Sequence, residues 1–247
     1  MRILLVNPNT TASMTEKAAL AAQAVAAAGT DIISVTSRMG PVSIEGHYDG
    51  AFAIPGLLSE LKEQQAGGYD AAVIACFDDT GLDAARSFAD VPVLGLCESA
   101  VATAGFLAQR FTVVTTLERS RVLIENLVRR YGMGERAKVR ASDIPVLELE
   151  NAASGAIGKL RAEIERALRE DGAEAIVLGC AGMTDLAREL QATYGVPVVD
   201  GVAAAVKQAE ALVSLGLTTS KRGSYASPLV KPFIGAMSGF SPMRAAG

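Results

Sequence analysis

The chain has 247 residues, half of them apolar and a fifth charged, with a mean hydropathy of +0.28. That content builds one large or two small cored domains and excludes a disordered chain. With 23 basic against 27 acidic residues and no basic run, nothing marks a nucleic-acid or anionic-membrane surface; 5% aromatics and no Trp argue against a sugar- or base-stacking platform.

The first apolar run, Ile3–Val6, turns polar at Asn7-Pro8-Asn9. It is too short for a signal peptide or a membrane span, so a cytoplasmic location is expected. Runs at 3–6, 32–35, 71–75 and 93–96 predict buried strands, as do 111–115, a weaker stretch near 139–149, 175–178 and 196–199. Helices are predicted between them, over 13–28, 55–65, 82–88, 99–108, 120–131, 154–170, 185–194 and 202–215. Continuous apolar strands with intervening helices mean parallel sheet covered on both faces, an α/β fold. About eight strand–helix units fit either a closed (β/α)8 barrel or two four-stranded open sheets. The Gly-, Ser- and Pro-rich stretch after Leu217 reads as a surface-packed tail.

The chain looks duplicated. "AAVIACFDDTGLDAARSFADVPVLGL" (71–96) resembles "AEAIVLGCAGMTDLARELQATYGVPVVDG" (173–201), and their cysteines lie 104 residues apart. Asn7–Thr11 and Thr115–Arg119 form a looser second pair of loops. Ligands of parallel sheets bind beyond the strand carboxyl ends. Cys76 and Cys180 each occupy such an end, ahead of a helix. Helix amino termini stabilise anions, so both thiol pKa values are expected to be depressed. Two thiols related by a pseudo-twofold face each other across a cleft. One thiolate can take a proton from a carbon acid while the opposing thiol returns one on the other face, which is racemisation or epimerisation without a cofactor.

The competing reading of any free Cys is a small buried hydrophobe. It fits Cys97, whose repeat counterpart is not Cys, better than it fits a matched pair. Three cysteines do not make a disulfide scaffold, and the single His47 leaves nothing for a His-built metal site or a Ser-His-Asp triad. Asp78 and Asp79 read as charge complements at the start of the helix that follows, because carboxylates near Cys76 oppose its ionisation.

Four motifs in order, "NPNTTASMTE", "GPVSIEGHYDGAFAIPGLL", "CFDDTGLDAAR" and "LGCAGMTDLA", resemble the hydantoin and allantoin racemase group of the aspartate/glutamate/hydantoin racemase superfamily. The likeness covers nearly the whole chain. It implies two pseudo-symmetric domains, each a parallel four-stranded sheet flanked by helices, with the active site in the cleft between them. It implies a return of the last helix to the first domain, giving residues 1–96 plus 203–247 and residues 97–202. It also implies Cys76 and Cys180 as the acid/base pair, no PLP or other cofactor, no metal, a small-molecule substrate with a hydantoin-type ring, and a homo-oligomer.

On that reading the ring's alternating C=O and N–H groups need bifunctional partners, which Asn9 supplies, with turn formation as its competing role. Thr115 and Thr116 can hold a carbonyl oxygen, against ordinary helix capping. The N–H groups of Ala181 and Gly182 can stabilise an enolate oxygen, and Phe77 can pack on the ring. The 37–50 loop, which carries His47, is a candidate lid rather than a source of catalytic groups. The leading function is racemisation of 5-substituted hydantoins. Allantoin is the alternative ring substrate, and an amino-acid racemase, a cis–trans isomerase or a decarboxylase are neighbouring chemistries. A thiol redox protein is disfavoured because no Cys-x-x-Cys occurs, and a dinucleotide binder because no G-x-G-x-x-G follows the first strand.

Overall fold

A computed structural model describes residues 1–151 and 153–242; the last five positions of the predicted tail lie outside it. In chain order the first half runs β1 (Arg2–Asn7), α1 (Ala12–Val25), β2 (Asp31–Thr36), α2 (His47–Gln64), β3 (Ala71–Ile74), α3 (Leu82–Phe88) and β4 (Val93–Gly95). Helix α4 (Leu96–Leu107) leads into β5 (Phe111–Thr115), α5 (Glu118–Arg130), β6 (Ala137–Ala141), α6 (Ala156–Arg166), β7 (Ala175–Leu178), α7 (Ala187–Tyr194), β8 (Val198–Asp200) and α8 (Gly201–Ser214).

The strands form two four-stranded sheets, β2-β1-β3-β4 and β6-β5-β7-β8, not a closed barrel. Every pairing is parallel, and the registers match: Ile3 sits opposite Ala71 and Val6 opposite Ile74, as Phe111 does with Ala175 and Val114 with Leu178. The duplication visible in the sequence is therefore a duplication of sheet topology.

Alternation along each strand divides the core. Ile3, Leu5 and Val73 of one sheet and Val113 and Val177 of the other face a shared core filled by α4 and α8. Leu4, Val6 and Ile74 face a separate core under α2, and Val114, Ile176 and Leu178 one under α6. Each fully buried Val, Leu or Ile contributes roughly 1.5–3 kcal/mol. Because α8 packs on α4, α1, β3 and β4, the chain returns to its first sheet at the end, and the shared layer holds the two sheets in one orientation.

Some expected boundaries move. Pro55 suggested a helix start, yet α2 begins at His47 and carries Pro55 inside it, so the 37–50 loop shortens to 37–46. The weak stretch near 139–149 contains a strand only to Ala141; after Pro145 the chain coils into a 3-10 turn, Val146–Glu150. A 3-10 turn, Ala181–Leu186, also precedes α7.

Candidate functional site

Both cysteines stand two residues beyond a central strand. After β3, the Cys76 N–H donates to the Ile74 carbonyl at 2.8 Å and the Asp79 N–H to the Cys76 carbonyl at 3.1 Å, a turn that lifts Cys76 out of the sheet. Its Sγ shares a hydrogen bond with Thr80 Oγ1 at 3.4 Å. After β7, Cys180 caps the 3-10 turn 181–186, its Sγ accepting from the Gly182 N–H at 3.4 Å. Gly179 lets β7 press against β5: a Cβ there would lie 2.8 Å from Thr115 Cα.

The two thiols line one 40 Å³ cavity between the sheets. A 670 Å³ groove between α1 and α7 is far larger but contains neither cysteine. The chemistry selects the small cavity. Its wall includes Asn9, Phe77, Thr116, Ala181 and Gly182, all expected from the sequence. Thr115 does not line it. Its side chain is turned into the structure, where Oγ1 donates to the Gly179 carbonyl at 3.3 Å, so of the two threonines Thr116 alone stands in the cavity wall.

Asn9 is held by its neighbours. Its Oδ1 accepts from Asn7 Nδ2 and from the Thr11 N–H, both at 2.9 Å, while its Nδ2 reaches only the Met14 sulfur at 3.4 Å. The acceptor half of this amide is therefore spent on the loop, and the donor half is free for a carbonyl. Asn7 also donates to Thr15 Oγ1 and to the Thr11 carbonyl, and so fixes the loop against α1.

The expected depression of the thiol pKa values is not met. Burial pushes Cys76 far above the ordinary thiol range, with the nearby Asp78 charge adding to it. Burial also raises Cys180, but only to about 11, because the Gly182 N–H and the Lys17 ammonium favour its thiolate. The reason is geometric. Helix α3 starts at Leu82, well past Cys76, and Cys180 caps only a short 3-10 turn. Neither thiol receives a full helix terminus, so desolvation prevails. Cys180 is the more acidic of the two.

The paired aspartates also depart from expectation. Asp79, in the left-handed region at φ 47°, turns away from α3 and caps α4 instead. Its carboxylate accepts from the Cys97 and Glu98 N–H groups at 3.0 Å each and from the Tyr131 hydroxyl at 2.7 Å. In the second half Asp200 caps α8 from the position that matches Gly95. Asp78 lines the cavity and has a buried oxygen with no partner. Burial, and then the charge of Asp79, push its carboxyl up to about 7.

Sequence reasoning missed Ile44, Val146 and Ser120 in the cavity wall. The signal for the first two was apolar residues inside otherwise polar loops. They are tied across the cleft, where the Val146 N–H donates to a Glu45 carboxylate oxygen at 2.8 Å. Lys17 of α1 pairs with Glu150 at 3.3 Å and donates to the Gly182 carbonyl at 3.3 Å. His47 lies outside the cavity, in a 650 Å³ groove that shares Asp78 with it. Cys97 is fully buried in α4, as its core reading required. Among the described residues no cluster of three or more His, Cys, Asp or Glu could hold a metal, and no helix is long and apolar enough to cross a membrane.

The Asp/Glu/Hydantoin racemase family model matches residues 3–209. The chain belongs to that family. It is a racemase, and hence an isomerase. A hydantoin racemase of Rhizobium meliloti is 52% identical over 236 residues, covering 95% of this racemase and 98% of that protein. One from Pseudomonas sp. (strain NS671) is 47% identical over 241 residues, with 97% of each chain covered. Among solved structures, the allantoin racemase from Klebsiella pneumoniae superposes with a TM-score of 0.95 at 47% identity, covering 98% of this racemase and all of that chain.

Proposed function

We propose that this racemase inverts C5 of a hydantoin-type ring by a two-thiol proton transfer. The observation that carries the reading is the pair Cys76 and Cys180, at matching strand ends and in the wall of one cavity. Relatives named for hydantoin and for allantoin, itself a 5-ureidohydantoin, match it at comparable identity. The ring is common to both. A simple 5-substituted hydantoin is our first choice and allantoin the alternative.

A C5–H flanked by a carbonyl and a nitrogen is a carbon acid. The thiolate of one cysteine takes that proton: the C5–H bond breaks, an S–H bond forms, and the electron pair moves onto the adjacent carbonyl as an enolate. The opposing thiol gives its proton to the other face of C5 and becomes the thiolate. Each turnover exchanges the roles of the two sulfurs. Raised thiol pKa values suit this step, because a thiolate that ionises reluctantly is a stronger base toward carbon. Cys180, favoured by Lys17 and the Gly182 N–H, carries the charge in the resting pair. Asn9 Nδ2, Thr116 and the main chain at Ala181 supply donors for the ring carbonyls and the enolate oxygen.

The cavity is too small for the ring as it stands. Its 40 Å³ admits a few waters. The ring enters when the Ile44 and Val146 walls part, which breaks the contact between Glu45 and Val146. A homo-oligomer in the cytoplasm completes the proposal. Sedimentation analysis tests the assembly, and a monomer at micromolar concentration removes that part.

The central test places single enantiomers of a 5-alkylhydantoin and of allantoin with the purified racemase in D2O. Optical signal and the C5–H resonance are followed together. Racemisation with deuterium entry, reduced 10²–10⁴-fold in Cys76→Ser and in Cys180→Ser, is expected for loss of one acid–base partner. Full activity in either variant, or no change in either ring with the wild type, overturns the mechanism or the substrate respectively.

A further inference from the structure

The cavity between the thiols is well supplied with donors and poor in free acceptors. The oxygen of Asn9 is already taken by Asn7 and Thr11, and that of Asn7 by the Asn9 N–H at 3.2 Å. The Gly179 carbonyl accepts from Thr115. One strong acceptor in the wall is unspent: Asp78 Oδ2 is buried without a hydrogen-bond partner. An orphaned buried acceptor of this kind destabilises the fold, more so when charged, and calls for a reason.

Three structural reasons fail. Asp78 does not cap a helix, because α3 starts beyond Gly81 and the α4 terminus belongs to Asp79. Among the described residues it takes no part in an ion pair. It does not assist the thiols as a charge either, since it opposes ionisation of both Cys76 and Cys180. A carboxyl that destabilises the fold and hinders the resting thiolate earns its place through the substrate.

Granting the ring substrate proposed above, we infer that Asp78 is the residue that recognises the ring's N–H edge, its free oxygen accepting a hydrogen bond from N1–H, the nitrogen bonded to C5. A hydantoin ring brings two carbonyls and two N–H groups. The donors around Asn9, Thr116 and Ala181 match the carbonyls, and Asp78 matches an N–H. It stands two residues from Cys76 on the same turn, so the nitrogen it reaches is the one beside the reacting carbon. Its place between the cavity and the outer groove puts that contact where the C5 substituent must pass.

The inference makes Asp78 a specificity determinant: it selects rings and open ureides that keep an N–H next to the stereocentre, and disfavours oxygen or alkylated nitrogen there. The test compares 5-isopropylhydantoin with its 1-methyl and 3-methyl derivatives in the wild type, Asp78→Ala and Asp78→Asn. Racemisation gives kcat/KM, and far-UV circular dichroism and melting confirm folding of each variant. In the wild type, 1-methylation lowers kcat/KM at least tenfold. In Asp78→Ala the same methylation costs less than threefold, with Asp78→Asn between them. The 3-methyl penalty is the same in all three proteins. A change in thiol ionisation alone would scale parent and methylated rings together and leave these ratios fixed. An equal 1-methyl penalty in the wild type and both variants overturns the role of Asp78 while leaving the ring reading intact. A wild type inert toward the parent hydantoin and allantoin removes the ring reading and this inference with it.

Discussion

Replacing Gly95 by Ala isolates the contact that shapes the Cys76 turn. Gly95 has φ −98° and ψ 154°, an extended conformation open to any residue, so backbone strain plays no part. The obstacle is Asp79: a Cβ at position 95 would lie 2.3 Å from its Oδ1 and 2.4 Å from its Cγ. The carboxylate must leave, and it takes with it the bonds to the Cys97 and Glu98 N–H groups and to the Tyr131 hydroxyl. Loss of a helix cap costs about 1–2 kcal/mol, and leaving a buried donor without its partner about 1–3 kcal/mol. Together they give a loss of about 2–5 kcal/mol, which for a chain of this size lowers Tm by roughly 4–20 °C. Urea denaturation followed by circular dichroism measures the loss in Gly95→Ala, Asp79→Ala and the double variant. Because the steric conflict needs the carboxylate, the double variant is expected to be no less stable than Asp79→Ala alone. A cost below about 1 kcal/mol for Gly95→Ala, or the same cost with and without Asp79, refutes the reasoning.

Glu45→Ala removes the tie to the Val146 N–H. The ring enters only when that tie breaks, so the loss of a charge-assisted bond worth about 1.5–3 kcal/mol from the closed form is expected to raise kcat/KM at least tenfold and to lower Tm by roughly 3–12 °C; unaltered kinetics exclude the tie as a gating contact. Asp78→Asn is expected to stabilise the fold above neutral pH. Burial holds the Asp78 carboxyl near 7 against 3.8 in a free side chain, so the folded state binds the extra proton and the wild type loses stability as pH rises from about 4 to about 7. At about 1.4 kcal/mol per pH unit the ceiling is about 4 kcal/mol, and urea midpoints at pH 4.5 and 8 show whether the advantage of Asn grows in that direction. Gly179→Ala presses a methyl 2.8 Å from Thr115 Cα and 2.9 Å from the Val114 carbonyl oxygen. Backbone cannot yield as a side chain does, so a loss of about 3 kcal/mol or more and poor activity are expected; a melt within about 2 °C of wild type counts against that packing.

The strands were legible because parallel strands buried on both faces are continuous apolar runs, and Ile3–Val6 and Ala175–Leu178 stand out on that ground alone. The matched cysteines followed from the repeat. Open sheets rather than a barrel did not follow from periodicity, which is the same in both; the resemblance to a known family supplied that choice. What the sequence concealed was contact between distant segments. Asp79 beside Asp78 looks like a local helix start, but its partner is α4, reached only through the fold. Thr115 and Thr116 are indistinguishable as letters, but Thr115 ends β5 with its hydroxyl turned to the Gly179 carbonyl, and Thr116, in the bend just past the strand, enters the cavity wall. The thiol environment was misjudged because a helix that follows a cysteine in sequence need not point its terminus at the sulfur. Glu45 gave no signal at all, since its partner is a main-chain N–H on the opposite half.

The duplicated halves hold their sulfurs in unlike surroundings: Cys76 lies beside Asp78 and Thr80, Cys180 beside Lys17 and the Gly182 N–H. Yet the two mirror-image forms of the substrate have the same free energy in water, so the equilibrium constant between them is one. At equilibrium the forward and reverse fluxes through the same enzyme must cancel. The ratio kcat/KM is therefore identical for the two enantiomers, however different the sulfurs are. The unequal sites can appear only as a compensated pair, the enantiomer that turns over faster being the one with the higher KM. A lopsided molecule is thus obliged to be even-handed in efficiency, and its asymmetry is confined to kcat and KM shifting by the same factor.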